Sequence, residues 1–524
     1  MTAEGQQPVG AMPEILIVSD GFETIWQAND MEDTHPALEA GLLAIDEQLR
    51  NPEAVISHLR FTDVTLRDGQ QQQTNEVSVE ERVEVFDAIV ATGIDRIEIG
   101  HLGNQDGDQQ LAVALVKHIA EREKTDELYK NVRIQVLFGS QEEQIQEGSQ
   151  VLRDAFREQY PETWQQEMAE RVVVHVYDRV DPNLMDTASE PYDIKQSASR
   201  ISVAAAHALD AGFKQFSISG EATTAITPEE SIQFYRSITA QLVNNGAEAV
   251  NVNLPNTYGY SSTEEWNTAT MAAFNAGVKY GFEDKVTTSI HAHNDVDNAV
   301  SYTMNAIIAG FDRVEGTLIG LGERTGNVAE IDVMARLLEQ ARHQKLREKR
   351  GEQRASRLAQ HAGAVMLKRT VMISPDIVDN LHVWYPMAEK LAKIFGPHAE
   401  YRWHRTAVGN PYAHDNGSGP HDQVMAAAIM NPVKHPGDSG YEWALLTHSV
   451  LGRPDTEDIA VGDPKAVDGI TVGNHAGGGK TKAIKAGTLE RADPETVARA
   501  RVEFRLRKQE LRDALLKGVE LVSC

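Results

Sequence analysis

The chain has 524 residues, with 50 Lys or Arg against 78 Asp or Glu and a formal net charge of −28. That balance excludes a nucleic-acid binder, whose affinity rests on clustered cations, and a 41% hydrophobic share with 24% charged residues excludes wholesale disorder. At roughly 100–200 residues per domain, the length allows a few domains with a sizeable core. Cys524 is the single cysteine, so no intramolecular disulfide or thiolate zinc cluster can form, and any metal takes His, Asp, Glu or Asn ligands. The opening MTAEGQQPVG has no basic-then-apolar signal pattern, and no apolar run approaches the ~18 residues that cross a bilayer. The expectation is a cytoplasmic protein with no membrane and no nucleic acid as partner.

Residues 1–60 hold Arg50 and Arg60 against eleven acidic residues. With a short apolar run, Ile15–Val18, and a helix-like stretch at Ala37–Leu49, they read as an N-terminal extension that packs on another part of the chain. From Phe61, β-branched or apolar runs recur at Phe61–Thr65, Ile94–Gly100, Val132–Phe138, Val172–Tyr177, Phe213–Ser219, Val250–Leu254, Val286–His291 and Phe311–Gly316. Helix-compatible segments such as Glu80–Thr92, Ser197–Ala211 and Ser262–Ala276 lie between them. This alternation predicts an α/β fold, a (β/α)8 TIM barrel over 61–330, followed by a mainly helical C-terminal region. An open doubly wound sheet is the competitor, but the first strand leads into Arg67-Asp68-Gly69-Gln70, which is no dinucleotide fingerprint.

Beyond the barrel, Arg336–Arg369 carries ten Lys or Arg and three acidic residues and reads as a solvated helix. Helical patterning continues through Ile377–Phe395, and Gly409–His421 reads as a loop. The expected division is helical linker subdomains over 331–435 and a C-terminal subdomain over 436–524. Gly473–Thr481 looks like a phosphate loop but misses the required spacing by one residue and has no helix after it. Only one or two short strands, around Ile470–Val472, are expected between Asp455 and Leu489. Pro494–Val519 reads as one amphipathic helix with Val497, Phe504, Leu511 and Leu515 on its apolar side.

Residues i and i+2 of a strand point to the same side, so His291-Ala292-His293 aims two imidazoles at the C-terminal mouth, where such barrels keep their active sites. Asp68, after the first strand, and Asn327, after the eighth, converge there if the barrel is right. Two imidazoles, a carboxylate and an amide oxygen suit Mg2+, Mn2+ or Zn2+ with positions left for substrate. Each piece alone is more often structural than functional. Together they favour a site.

Asp63-Val64-Thr65-Leu66-Arg67-Asp68-Gly69-Gln70-Gln71, His291-Ala292-His293-Asn294-Asp295 and the segment Gly320–Asn327 resemble the three signature motifs of the 2-isopropylmalate synthase/homocitrate synthase family. Weaker matches are Ile97-Glu98-Ile99-Gly100, Ser219-Gly220-Glu221, Leu254-Pro255-Asn256-Thr257 and the His-bearing stretch His414–His421. The resemblance runs from about residue 61 to 430. It implies a metal-dependent acyltransferase that condenses acetyl-CoA with a 2-oxo acid, most like the isopropylmalate branch. It also implies Asp68, His291, His293 and Asn327 as metal ligands, with Arg67, Glu221 and His421 as catalytic groups. Gln71, Glu98, His101 and Thr257 would bind substrate. A homodimer is implied, because in related synthases the segment beyond the barrel reaches the partner's active site.

The sequence departs from the family at Gln70 and at Gly100-His101-Leu102-Gly103-Asn104, which leaves the side chain of the oxo acid open. About ninety residues follow Asn431. Two strand-rich repeats do not fit there, so no full leucine-regulatory domain is expected. The alternatives are a homocitrate, citramalate or other alkylmalate synthase, a lyase or aldolase of the same barrel family, and a silent barrel that binds acyl-CoA or metal.

Overall fold

Eight strands alternate polar and apolar residues and close into a parallel barrel. The computed structural model describes residues 36–43 in part, 56–71, 77–103, 106–139, 141–182, 193–259, 266–350, 368–396, 399, 456–460, 471–474, 480–484 and 494–522. The strands are β1 (Ile56–Asp63), β2 (Arg96–His101), β3 (Arg133–Phe138), β4 (Val172–Arg179), β5 (Gln215–Glu221), β6 (Ala249–Asn256), β7 (Val286–Ala292) and β8 (Arg313–Gly316). They pair in sequence order, and β8 returns to β1 with Arg60 opposite Arg313 and Asp63 opposite Gly316. The expected TIM barrel is present, with β1 starting at Ile56 rather than Phe61.

The intervening helices are α1 (Val79–Val90), α2 (Asp106–Arg122), α3 (Glu142–Gln159), α4 (Trp164–Arg171), α5 (Ile194–Asp210), α6 (Pro228–Asn244), α7 (Thr268–Lys279) and α8 (Ala299–Ala309). Their starts are written in the sequence. Ser78 with Glu81, and Thr227 with Glu230, form reciprocal capping boxes at α1 and α6, and Pro228 supplies a preset φ at the first turn of α6. The outward residues of the strands, such as Val172, Val174 and Val176 of β4 or Val250, Val252 and Leu254 of β6, join the apolar core beneath the helices. The inward residues are polar: Glu98, Gln135, His175, Ser217, Ser219, Asn251, Asn253, Ser289 and Glu315 are all buried. Barrel interiors are more often filled by branched apolar side chains.

After the barrel come α9 (Glu330–Arg350), β9 (Lys368–Ile373), α10 (Pro375–Asn380) and α11 (Trp384–Phe395). Then follow β10 (Thr456–Ala460), β11 (Thr471–Asn474), β12 (Lys480–Ile484), α12 (Pro494–Lys517) and β13 (Val519–Val522). β9 pairs in parallel with the first half of β1, Ile56–Leu59, and β13 runs antiparallel to β9. Two expectations change here. Lys368 and Arg369 belong to a strand rather than a solvated helix, and Arg369 is buried with its Nε donating to the Ile308 carbonyl at 2.8 Å. Three strands, not one or two, form an antiparallel sheet in the order β10-β12-β11. Lys480-Thr481-Lys482-Ala483-Ile484 escapes a search for apolar runs because its alternation is carried by lysines. The phosphate-loop lookalike spans the end of β11 and the start of β12, both strands of that sheet.

Leu511 and Leu515 of α12 are buried as expected, whereas the side chains of Val497 and Phe504 lie outside the described ones. Of the N-terminal extension, Ala37 is buried, and a Cβ on Gly41 would lie 2.6 Å from the Ala273 carbonyl oxygen, so this short helical piece rests on α7. The barrel is tied to α10 and α11 beside β1. Trp384 meets Phe61 edge-on at 5.9 Å and donates its Nε1 to the Thr92 carbonyl at 3.0 Å. Next to it Gly93 has φ +85°, and a Cβ there would sit 2.3 Å from the Asp376 carbonyl oxygen. Gly93→Ala combines a left-handed backbone with overpacking against main chain, and is expected to cost about 2–4 kcal/mol. Urea unfolding measures this, and a cost below about 0.5 kcal/mol would show that the Asp376 segment yields freely.

Candidate active site

The site is assembled from the residues that follow the strands' C-terminal ends. After β1 the chain turns through a single 3-10 turn at Asp68–Gln70, braced by Gly69 N to Val64 O at 3.1 Å and by Gln70 Nε2 to Leu66 O at 2.8 Å. Gln70, one of the departures, is thus a brace of the turn. The turn brings Arg67 over the barrel's centre. Its Nε donates to Glu98 at 2.5 Å and its Nη1 to Asp68 at 2.5 Å.

Glu98, fully buried on β2, also meets His175 Nδ1 at 2.5 Å and accepts from Gln135 Nε2 at 3.1 Å. His175 Nε2 lies 2.7 Å from Ser219 Oγ, which in turn accepts from Asn253 Nδ2 at 2.9 Å. A chain of polar contacts therefore crosses the interior from β1 to β6. Burial opposes the charge on Glu98, but Arg67 and His175 overcome it and hold the carboxyl well below the usual range.

His291 ends β7 facing inward, and His293 follows in a bridge to Asn327. Their Nε2 atoms lie 3.2 Å apart, and Asp68, His291 and His293 offer ligand atoms all within 4.8 Å of one another. All three residues are buried. Asn327 donates Nδ2 to Asp68 at 2.5 Å and to the Leu321 carbonyl at 2.8 Å, while its Oδ1 is buried with no hydrogen-bond partner among the described residues. Gly322 makes this possible: at φ +143° a Cβ there would stand 2.3 Å from Asn327 Nδ2.

Burial, helped by His293 and Arg67, pushes His291 down to about 3, and burial also lowers His293. Asp68 is held below the usual range because Arg67 and the two imidazoles outweigh its burial. Neutral imidazoles, an ionised carboxylate and a spare amide oxygen are the donor set a divalent cation requires, so the residues fit a metal.

These groups open into a cavity of about 550 Å³ that is also lined by Gln71, His101, Gln144, Arg179, Glu221 and Thr257. Of the site residues expected from sequence, three do not line this cavity: Glu98 is fully buried behind Arg67, and the other two are Asn327 and His421. Asn327 is reached through Asp68, and His421, with His414, lies outside the described residues. Thr257 Oγ1 accepts from Ala222 N at 2.9 Å, which leaves its own proton for a ligand. Glu221 is paired with Arg179 Nε at 3.1 Å. His101 donates its backbone N–H to Asp108 at 2.7 Å, and its Nδ1 is buried without a partner among the described residues.

Sequence reasoning gave no role to His175, Asn253 or Arg179, and Ser219 entered only within the Ser219-Gly220-Glu221 match. A signal was there: polar residues at every second position inside otherwise apolar strands. It also gave no role to Arg324 of the Gly320–Asn327 motif, whose Nε and Nη2 take Asp295 at 2.8 and 3.2 Å and whose Nη2 reaches the Thr257 carbonyl, tying the loops after β6, β7 and β8 together.

A closed (β/α)8 barrel with a carboxylate and two histidines at its C-terminal mouth has the architecture of metal-assisted barrel catalysts. Residues 58–354 match the HMGL-like family profile, and the chain belongs to that family. It is similar to the 2-isopropylmalate synthase of Photobacterium profundum, 28% identical over 268 residues, which is 51% of this chain and 45% of that protein. The 2-isopropylmalate synthase of Methylacidiphilum infernorum is 26% identical over 293 residues, 54% of this chain and 50% of that one. The chain spans about half the length of the curated relatives it matches. Among solved structures, the HMG-CoA lyase from Brucella melitensis aligns with TM-score 0.37 and 17% identity over 57% of this chain and 92% of that one. Among the described residues no helix is long and apolar enough to cross a membrane.

The loop that carries Asn327 is anchored by buried carboxyls. Asp63 accepts from Leu318 N at 3.0 Å and from Thr65 N at 2.8 Å, and it neighbours Glu330. Burial raises Asp63 to about 6, and burial together with Asp63 raises Glu330 well above the usual range. In the folded protein these groups therefore keep protons that the unfolded chain releases near pH 4. Their contribution is fully present below that pH; the share of Asp63 is lost as pH rises through about 6, and that of Glu330 at higher pH. Glu330→Gln removes one of the two charges. Its stability relative to the parent is expected to improve by roughly 1–3 kcal/mol between pH 4 and pH 8, read as urea midpoints. Parallel pH profiles of the two proteins would sink this account.

Proposed function

We propose that the chain is an acyltransferase that condenses acetyl-CoA with a 2-oxo acid and releases CoA by thioester hydrolysis, in the manner of the 2-isopropylmalate synthases it resembles. The observation that carries this reading is the gathering of Asp68, His291 and His293 beside Arg67 in one cavity, with Asn327 bonded to Asp68 behind them. A divalent cation bound by these groups would supply Lewis acidity to polarise the ketone of the oxo acid.

The protein's own residues do the rest. The methyl group of a thioester is a very weak acid, so its enolate needs a base and a compensating positive charge. Arg67, fixed by Glu98 and Asp68, presents that charge without the freedom to turn away. The Thr257 hydroxyl, with its lone pair engaged by Ala222, donates to the oxo-acid carboxylate. Glu221, steadied by Arg179, and His421 are the candidates for moving the proton.

Within this reading the wall formed by His101, Gln141 and Gln144 favours an oxo acid with a polar side chain over a branched alkyl one. A polar wall left unpaired against an alkyl group would forfeit its hydrogen bonds. That observation favours the homocitrate-type alternative over the isopropylmalate type. A homodimer in which the segment carrying His421 completes the partner's site is part of this reading through the family resemblance alone, and light scattering of active enzyme tests it.

Incubating purified protein with Mg2+ or Mn2+, acetyl-CoA and a panel of 2-oxo acids, with free CoA thiol followed, tests the whole reading. Absence of oxo-acid-dependent CoA release would overturn it. His291→Ala is expected to lower both retained metal and turnover by about 100-fold or more. Elemental analysis alongside the assay reads this, and a variant with full metal content and rate would remove His291 from the site. Arg67→Lys keeps the charge but loses the fork. A fall of roughly 100-fold in kcat with KM changed only a few-fold is expected; a change confined to KM would make Arg67 a ground-state binder.

A further inference from the structure

Behind the turn that carries Arg67 and Asp68 stands a buried cation that the proposed reaction does not use. Arg82 leaves the first turn of α1, which the Ser78–Glu81 capping box fixes, and it is almost closed to water. Its Nη2 lies 2.7 Å from Asp108 Oδ1, 3.1 Å from the Ile99 carbonyl and 3.3 Å from the Leu66 carbonyl. Two hydrogens are therefore shared among three acceptors. Nη1 makes a longer contact with the Gly107 carbonyl, at 3.4 Å, and Nε has no partner among the described residues.

The three acceptors lead to different parts of the site. The Leu66 carbonyl shares a planar peptide unit with the Arg67 N–H, which donates to the Val64 carbonyl at 3.1 Å. Both ends of the unit that introduces Arg67 and Asp68 are thus pinned. The Ile99 carbonyl follows Glu98 on β2, the carboxylate that holds Arg67 Nε. Asp108, in the first turn of α2, accepts from Arg82 with one oxygen and from the His101 N–H, at 2.7 Å, with the other. A Cβ on Gly100 would stand 2.4 Å from the Asp108 carboxyl carbon, so a glycine there admits the carboxylate. A buried ion pair is weak evidence of added stability, since apolar groups of similar volume often do as well. What this one supplies is direction, toward three named acceptors.

We propose that Arg82 is a positioning residue of the active site, setting the Arg67–Asp68 turn through the Leu66 carbonyl and the His101 wall through Asp108. This assignment rests on the reaction proposed above. Arg82 does not line the cavity, whereas Arg67, Asp68 and His101 do, so it acts through the groups it holds. The two links control different things. The Leu66 link governs the carboxylate offered to the metal and the charge beside it, and the Asp108 link governs a wall that meets the oxo acid. Groups that orient the residues around a metal are often worth as much to activity as the ligands themselves.

The test uses the full-length chain, with Mn2+ titrated by calorimetry and CoA release followed for kcat and KM. Arg82→Met keeps the apolar stem and removes every donor. It is expected to weaken Mn2+ binding at least about tenfold and to lower kcat about 10–100-fold. Arg82→Lys brings three donors to the place of Nη2, one for each acceptor, and is expected to restore both to within about threefold of the parent. Asp108→Asn offers one acceptor oxygen to two donors, and is expected to raise the oxo-acid KM several-fold with the Mn2+ Kd little changed. A residue serving stability alone would lower the folded fraction, read from the titration's stoichiometry, and leave Kd and KM at parental values. That result would overturn the proposal, as would an Arg82→Lys variant no better than Arg82→Met or an Asp108→Asn variant with parental KM. If Arg82→Met does not fold, Asp108→Asn, which leaves the cation in place, decides. A parent without oxo-acid-dependent CoA release overturns the reaction and not the role of Arg82, which the Mn2+ titration still decides.

Discussion

Glu98 is a charged carboxylate with no access to water, and the mouth of the barrel is organised around keeping it charged. A buried carboxylate without partners takes up a proton. Here Arg67, in the turn after β1, His175 on β4 and Gln135 on β3 surround it instead. The consequence runs outward in two directions. Toward the cavity, Arg67 is fixed between Glu98 and Asp68, so its second donor is committed to the carboxylate that stands beside the two imidazoles. Across the interior, His175 is fixed by Glu98 on one nitrogen and Ser219 on the other, which settles its ring orientation and passes the order on to Asn253 and Ser289. Removing the charge at Glu98 would free Arg67, and with it the electrostatics of Asp68 and both imidazoles.

A polar interior imposes its own constraint on the rest of the chain. Hydrogen bonds inside a barrel rigidify it when every group is satisfied, but they supply less apolar burial than a filled hydrophobic interior. The apolar work therefore falls on the layer between strands and helices, where Val172, Val174, Val176, Val250, Val252 and Leu254 meet the helical shell. Capping residues such as Ser78 and Thr227 hold those helices in place, and Trp384 seals the region next to β1.

This division explains what could be read from the sequence. Runs such as Val172–Tyr177 announce strands because their outward residues are β-branched, and their spacing gives the barrel. His291 and His293 announce a site because they sit two apart at a strand's end. The Glu98–His175–Ser219 chain was not legible, because each residue taken alone is one polar position in an apolar strand, and the contacts join strands that are distant in sequence. β9 escaped for a related reason. Lys368-Arg369-Thr370 reads as a continuation of a basic helix, and only tertiary pairing with Ile56–Leu59 makes it a strand. The second proton-transfer candidate, His421, lies outside the described residues.

The two ends of the barrel use charge in opposite ways, and the strand start or strand end on which a residue sits decides which. At the C-terminal mouth, cation and carboxylate are balanced pair by pair, Arg67 with Glu98 and Asp68, Arg179 with Glu221, Arg324 with Asp295. Paired groups hold their geometry, which a site for chemistry requires. At the N-terminal face, Arg60, Arg133 and Arg313 crowd one Asp95, held down at about 2 by the balance of its burial against Arg313, Arg96 and Arg60, while Arg96 Nε and Nη1 and the nearby Glu315 Oε2 have no hydrogen-bond partner among the described residues. Strand pairing fixes that crowding: Arg96 cannot leave Arg133 without breaking the β2–β3 register that also places Glu98. The residue that sets the mouth in order and the residue that stays unsatisfied beneath it are two positions apart on one strand, so the register that provides the first enforces the second.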